Sequence, residues 1–492
     1  MKRKLLYIAL SASMLLSSCA SMLDTNPAGD SVSDEQLSDL IRKDPDMVLA
    51  PMMQGALVYM HNGYRSSNTD NRGFMLWNLG MDLQGNDMVL SATTNWFADQ
   101  YMFENLRQQT AAYTADKWYD LYKIVYKSNQ ILDLIPEDAE GAALIYKAQA
   151  MTYRALAYYY LMCIYQDDYM HGGKDKPGVP LYLTVEGAKG RTPSTEVFAQ
   201  IIADLQEAVA LFEGEGYDPA EDPTDIDQTV ANIILARAAL TAGEYTVAAN
   251  AAAAVINSGC YSLMDETEYT TSGFLDASLP ETIWAYVWEM STTLGRSSFA
   301  GFVSYTMIAE GQSNNSSGNI YPCIDERLYN QIPDSDYRKA NFMAEADDEV
   351  GSPAYATLKF DTPTFNEDEI FMRLSEAYLL KAEAEARGGN DAAAQQTLYD
   401  LVSVRDSQYA KPSATGSALL DEIFLQSRIE LWGEGHEWFT NKRFNVGVDR
   451  TSSANHTRRL VVPAGKDFTY QIPLSIELNS NPYINAEDQN PL

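Results

Sequence analysis

Cys19 is the residue whose neighbours specify its chemistry most narrowly. Lys2, Arg3 and Lys4 precede an apolar run of twelve residues, Leu5 to Leu16, and Leu16-Ser17-Ser18 then lead into Cys19. The run is a signal-peptide core, too short for a membrane span of about 20 residues. The small residues before the cysteine resemble a lipobox, which predicts removal of residues 1–18 and lipidation of the Cys19 thiol. Each buried acyl CH₂ contributes about 0.8 kcal/mol, so several chains would hold the protein on a bilayer. Cys163, Cys260 and Cys323 are odd in number and form no C-x-x-C spacing. Disulfides are therefore not the expected support of the fold, and Cys163 reads as a buried apolar residue.

Other reactive types give weaker patterns. Glu434-Gly435-His436-Glu437 has the composition of a catalytic or metal cluster, but it reads more simply as a turn between helices with a satisfied histidine. The four histidines, at 61, 171, 436 and 456, are too few and too scattered for a His-rich metal centre. Asp222, Asp225 and Asp227 lack the glycine and closing glutamate of a calcium loop. There is no H-E-x-x-H, G-x-S-x-G, P-loop or dinucleotide fingerprint. The expectation is no catalytic residues, no metal and no cofactor. With 68 acidic against 35 basic residues, and a formal charge of −33, the chain would repel phosphate backbones, and no nucleic-acid partner is expected.

The 492 residues have room for about three domains or one composite one. Helical patterns run near 34–43 and 46–61, broken at Asp44-Pro45. Residues 62–112 read as irregular. Helices follow near 115–135 and 140–166, then a loop over 167–193 and a helix to about 212 that Ser194 or Thr195 can cap. Residues 213–227 read as a solvated acidic loop. Within 228–258, Gly243-Glu244-Tyr245 turn the chain between two alanine-lined helices. The same logic recurs at 368–405 around Gly388-Gly389-Asn390, and 115–166 is a third, more degenerate unit. These units resemble tetratricopeptide repeats, which need about three copies to bury a continuous core. Alternation around Trp284 predicts a strand, and 289–366 reads as a large irregular insertion. A last helix is predicted near 416–432, with an irregular C-terminal stretch from 444. The fold class is mainly α: a tetratricopeptide-like helical scaffold carrying large irregular insertions.

Four segments in this order, behind a lipobox, carry a resemblance. They are Leu23-Asp24-Thr25-Asn26-Pro27; Trp118-Tyr119-Asp120-Leu121-Tyr122 with Arg154-Ala155-Leu156-Ala157-Tyr158-Tyr159; Arg373-Leu374-Ser375-Glu376-Ala377-Tyr378; and Arg428-Ile429-Glu430-Leu431-Trp432-Gly433-Glu434-Gly435, closing with Ile472-Pro473-Leu474-Ser475. The chain resembles the SusD/RagB family of Bacteroidota outer-membrane nutrient-uptake lipoproteins over its whole length from Cys19. It departs from the family pattern where Glu437, Thr440 and Asn441 follow Glu434-Gly435. Residues 19–33 read as the lipidated N-terminus and a polar tether with Asn26-Pro27 and Gly29, and the resemblance implies one SusD-like domain over 34–492. It also implies a surface-exposed, lipid-anchored position on the outer membrane. The implied partner is a SusC-type TonB-dependent barrel, and the implied task is capture of a glycan or other nutrient oligomer without catalysis. A peptide ligand in the same role and a surface-tethered glycoside hydrolase are the alternatives.

Sugar binding asks for flat aromatic faces with Asn, Asp or Arg at the rim. The chain has 31 Tyr and 7 Trp. Those on the periodic helices, such as Trp118, Tyr119 and Tyr158 to Tyr160, read as packing. Those in the two irregular regions are the candidates: Asn95 and Trp96 from 62–112, and Trp288, Tyr305 and Tyr321 from 289–366.

Overall fold

A computed structural model describes residues 34–61, 72–94, 97–104, 107–185, 187–217, 222–287, 298–312, 319–364, 367–465 and 468–491. The leader, Cys19 and the tether lie outside the described residues.

The scaffold is a series of helices, most of which pack on a neighbour in sequence. They are α1 (Asp34–Lys43), α2 (Pro45–His61), α3 (Gly73–Asp82), α4 (Ala98–Met102), α5 (Ala112–Leu134), α6 (Ala142–Tyr165), α7 (Ser194–Glu215), α8 (Gln228–Ala242) and α9 (Tyr245–Asn257). α2 packs on α5, α5 on α6, α6 on α7, α7 on α8 and α8 on α9. Further along, α10 (Glu266–Thr271), α11 (Ala300–Val303), α12 (Tyr305–Ala309) and α13 (Glu326–Tyr329) are short. The ladder resumes with α14 (Leu374–Arg387), which packs on α9, followed by α15 (Asp391–Arg405), α16 (Ser417–Glu430) and α17 (Glu437–Arg443).

Small side chains set the close helix approach. Ala231, Ala236, Ala239, Ala248, Ala252 and Ala377 are each fully buried. Gly243 ends α8 at φ +80, where a Cβ would stand 2.8 Å from Met170 Sδ. There its amide N–H donates to the Leu240 carbonyl and that of Glu244 to Ala239, so the last turn is satisfied. Buried bidentate pairs staple neighbours: Arg154 to Asp204 between α6 and α7, and Arg237 to Glu376 between α8 and α14. α7 begins directly after Pro193 without a side-chain cap, and Ser194 is buried inside its first turn. The expected cap at Ser194 or Thr195 is thus replaced by the pre-set φ of the proline. In the acidic loop, Asp227 caps α8 by accepting from the amides of Thr229 and Val230.

The first region expected to be irregular holds α3, all ten of whose residues are buried. Such a helix has no polar face, so it carries no helical period to read. After α3 comes β1 (Met88–Leu90), which pairs antiparallel with β3 (Pro322–Ile324) inside the central insertion. β2 (Thr282–Val287) pairs antiparallel with β4 (Asp368–Arg373), with Val287 opposite Asp368. The insertion thus leaves and rejoins the scaffold at one place.

A buried ionic network clamps the insertion to the helices. Arg373 Nη1 contacts Glu281 at 2.8 Å and Glu430 at 2.7 Å, and its Nε reaches Glu434 at 2.6 Å. Arg405 bonds Glu281 and Glu430, and Arg338 joins Glu430 to Asp336. Lys359 Nζ lies 2.5 Å from Glu434. Burial alone would raise Glu434, but Arg373 and Lys359 outweigh it and hold the carboxyl at about 2.

Candidate functional site

Glu434-Gly435-His436-Glu437 is a structural turn. Glu434 belongs to the ionic network, and Gly435 (φ +85) lies so close to Asn78 that a Cβ would clash with its side chain. Burial lowers His436 to about 4, and Glu437 accepts from the amides of Asn86 and Asp87. Among the described residues, no three His, Cys, Asp or Glu side chains group as a metal site. Cys163 and Cys323 are buried, Cys260 is exposed, and all three are free thiols.

Asn95, Trp96 and Trp288 lie outside the described residues, but their chain neighbours are placed. Phe97 starts α4, is 1% exposed, and packs edge to face on Phe302 of α11 with ring centroids 4.9 Å apart. Val287, before Trp288, is the β2 residue paired with Asp368. Asp368 also lines a polar cleft of about 470 Å³, together with Thr271, Ser272, Asp276, Asp361 and Thr362 among others. Asp361 fixes the start of α12: its carboxylate accepts from Ser304 Oγ at 2.9 Å, Thr306 N at 2.7 Å and Thr306 Oγ1 at 2.8 Å. That segment carries Tyr305.

Tyr305 is half-buried, and its ring lies 5.5 Å from that of Tyr321. Tyr321 is 1% exposed, takes Ser91 Oγ at its amide, and donates its hydroxyl to the Val350 carbonyl. Tyr321 therefore supports Tyr305 from the core and presents no ring face to solvent. The sequence put both on one surface because composition does not separate a presenting aromatic from its support. Glu367, also in the cleft wall, is 3% exposed and accepts from Ala300 N at 2.8 Å. Burial, then the neighbouring Glu369, push its carboxyl up to about 8.

The sequence reading missed Asp276, Asp361 and Thr362, since no periodicity marks them. For Asp361 and Thr362 the one signal is polar side chains beside Pro363 in a loop. The packing roles of Tyr158, Tyr159 and Tyr160 match their positions, all buried on α6. Trp118 is buried likewise, whereas Tyr119 is half-buried and lines a second pocket on α5.

Residues 53–238 match the family described as "Starch-binding associating with outer membrane", and residues 355–472 match the one described as "SusD family". The chain belongs to the SusD/RagB family. It is 24% identical over 431 residues to SusD-like protein P25 of Formosa agariphila, covering 76% of this chain and 78% of that one. SusD-like protein P38 of the same organism is 21% identical over 492 residues, covering 88% and 90%. Among solved structures, a SusD-like carbohydrate binding protein from Bacteroides vulgatus superposes with a TM-score of 0.76 at 24% identity, covering 90% and 98% of the two chains. Surface glycan-binding protein A from Bacteroides thetaiotaomicron, in complex with laminarihexaose, gives 0.67 at 17% identity, covering 90% and 99%. The mainly helical, repeat-like architecture expected from the sequence is the fold these structures share. Among the described residues, no helix is long and apolar enough to cross a membrane.

Proposed function

We propose that this protein is a cell-surface lipoprotein that captures a glycan oligomer and passes it to a SusC-type TonB-dependent outer-membrane barrel. Lipid on Cys19 holds residues 34–492 to the outer membrane as one domain. One observation supports the ligand reading: Ser304 and Val287, on two flanks of the central insertion, each contact a residue that lines one polar cleft, and Phe97 packs close to the first of them. Phe97, next to Trp96, packs on Phe302. Two residues beyond Phe302, Ser304 bonds Asp361 in the cleft wall, and Val287, next to Trp288, pairs with Asp368 in the same wall. Aromatic faces beside Asp, Ser and Thr are what a hydrated sugar needs. The support from relatives is that solved structures of this fold are named as carbohydrate-binding, one of them in complex with laminarihexaose. The site residues of this reading are Asn95, Trp96, Trp288 and Tyr305, with Tyr321 behind Tyr305.

The test is titration of the purified protein with gluco-oligosaccharides, laminarihexaose among them, alongside an assay for new reducing ends. Trp96→Ala is expected to weaken binding several-fold or more at an unchanged melting temperature, with no cleavage in either protein. Unchanged affinity with a large fall in melting temperature would make Trp96 a core residue and overturn the site. Cleavage that tracks with the protein would overturn the binding-only reading. Cys19→Ser is expected to leave a folded protein that no longer partitions into detergent.

A further inference from the structure

A second pocket, of about 290 Å³, lies on a different part of the molecule. Its walls are α5, the loop residues Tyr182, Thr184, Val185 and Gly187, and Ile476 with Glu477. None of these belongs to the 62–112 or 289–366 regions. The pocket is at the small end of ligand sites, which run from about 300 to 1,000 Å³. It suits a single ring and not an oligomer.

The pocket is built, and its parts are held from behind. Tyr122 donates its hydroxyl to the Pro180 carbonyl at 2.8 Å and meets the Tyr182 ring edge to face at 5.7 Å. Asn129 Nδ2 holds the carbonyls of Tyr182 and Thr184, while its Oδ1 accepts from the buried Arg154. At the mouth, Tyr126 is 41% exposed. At the far wall, Glu477 takes Trp118 Nε1 on one oxygen at 3.2 Å and Asn481 Nδ2 on the other at 2.6 Å. Each carboxylate oxygen can accept two hydrogen bonds, so each keeps capacity for a further donor. Burial raises the Glu477 carboxyl above its ordinary value.

The charges narrow the occupant. Aromatic rings beside a carboxylate would ordinarily favour a cation. Here Lys123 Nζ already lies 5.2 Å from the Tyr119 ring centroid and 5.6 Å from that of Tyr126. A second cation would meet that ammonium, and an anion would meet Glu477. A purely apolar guest would leave the remaining acceptor capacity of Glu477 without a donor. What remains is a neutral ring with an apolar C–H face and adjacent hydroxyls. We propose that this pocket is a separate monosaccharide site: one neutral pyranose ring against Tyr122, Tyr126 and Tyr182, its vicinal hydroxyls donating to Glu477 and its oxygens accepting from Lys123. The assignment stands whether or not the cleft at Asp361 takes a glycan.

The experiment is saturation-transfer NMR and calorimetry on the purified full-length protein in a sugar-free detergent. The probes are the methyl glycosides of glucose, galactose, mannose and N-acetylglucosamine, with tetramethylammonium chloride as the cationic alternative. At least one glycoside is expected to bind saturably. Tyr126→Ala, at a half-exposed rim position, is expected to lower that affinity about tenfold at an unchanged melting temperature, and Glu477→Gln at least as much, one lost charged hydrogen bond corresponding to a tenfold change or more. Trp96→Ala is expected to leave it unchanged, which separates this site from the oligomer surface. No saturable binding by any of the four, binding unaltered in Tyr126→Ala, or preferential binding of tetramethylammonium would each overturn the assignment. If Glu477→Gln fails to fold, Tyr126→Ala decides alone.

Discussion

Phe97 and Phe302 meet edge to face, their ring planes at 86°. One belongs to the N-terminal aromatic region and the other to the central insertion, and both are almost fully buried. The contact is a side-chain counterpart of the β1–β3 pairing, and the two together hold distant parts of the chain in register.

Phe302→Ala should therefore act on stability and binding at once. Removing a buried phenylalanine ring costs about 3–5 kcal/mol. Denaturant titration should show that loss. Glycan affinity should also fall in the folded fraction, because the Phe97 end of the segment loses its seat. A stability loss with affinity intact would mean that the contact does not position the ligand surface.

Tyr159→Ala should separate the two effects. Tyr159 is 2% exposed on α6 and stacks on Phe439 at 5.8 Å. Its truncation should cost a similar ~3–5 kcal/mol and leave affinity in the folded protein unchanged. Paired melts and titrations would decide, and a binding defect in a stable variant would count against it.

Arg373→Met should expose the importance of the buried network. It leaves Glu281, Glu430 and Glu434 short of a partner, and breaking a buried pair on one side costs about 3–5 kcal/mol. The pH dependence has a definite sign. Glu434 is held at about 2, below the ordinary 4.5, so its contribution is present above pH 4.5 and lost as pH falls toward 2. In Arg373→Met that acid limb should flatten. An equally steep acid limb would show that other carboxylates control it.

Glu367→Gln should do the reverse at the alkaline side. Wild-type Glu367 keeps its proton up to about pH 8, while an unfolded chain releases it near 4.5. Stability should fall between those values by about 1.4 kcal/mol per pH unit from this group. The glutamine variant has no proton to lose, so its melting temperature should gain on wild type from pH 5 to pH 8. A difference that does not change with pH would mean Glu367 titrates normally.

The helix ladder was legible because α9 and α15 carry periodic apolar faces and because glycine-marked turns set α8 off from α9 and α14 from α15. α3 was not, because burial on every side erases the period that a half-buried helix shows. β1 and β3 are three residues each, too short to alternate visibly. Arg373, Glu430 and Glu434 stood out as motif residues, yet their shared network joins positions about sixty residues apart and depends on Lys359, which no local pattern marks. The cleft is assembled from 271–276, 361–363 and 367–368, so only the folded chain brings its polar groups together. On α5, the helical period put Trp118 and Tyr119 among the packing residues and carried no sign that Tyr119 lines a pocket.

Val287 and Asp368 stand opposite each other on one rung of a two-stranded ladder. Selection can therefore edit the segment between them almost as an independent cassette. Doubling the length of such a closed loop adds only about 0.6 kcal/mol of closure entropy, and no helix spacing has to change to accommodate it. The two family matches end at residue 238 and resume at residue 355, on either side of most of that segment. A lineage that met a new nutrient could replace the cassette and keep the ladder, provided that the residues corresponding to Arg338 and Lys359 still reached their buried partners and that β3 and Phe302 still met β1 and Phe97. Diversification would then proceed by exchange at a fixed port instead of by redesign of the frame.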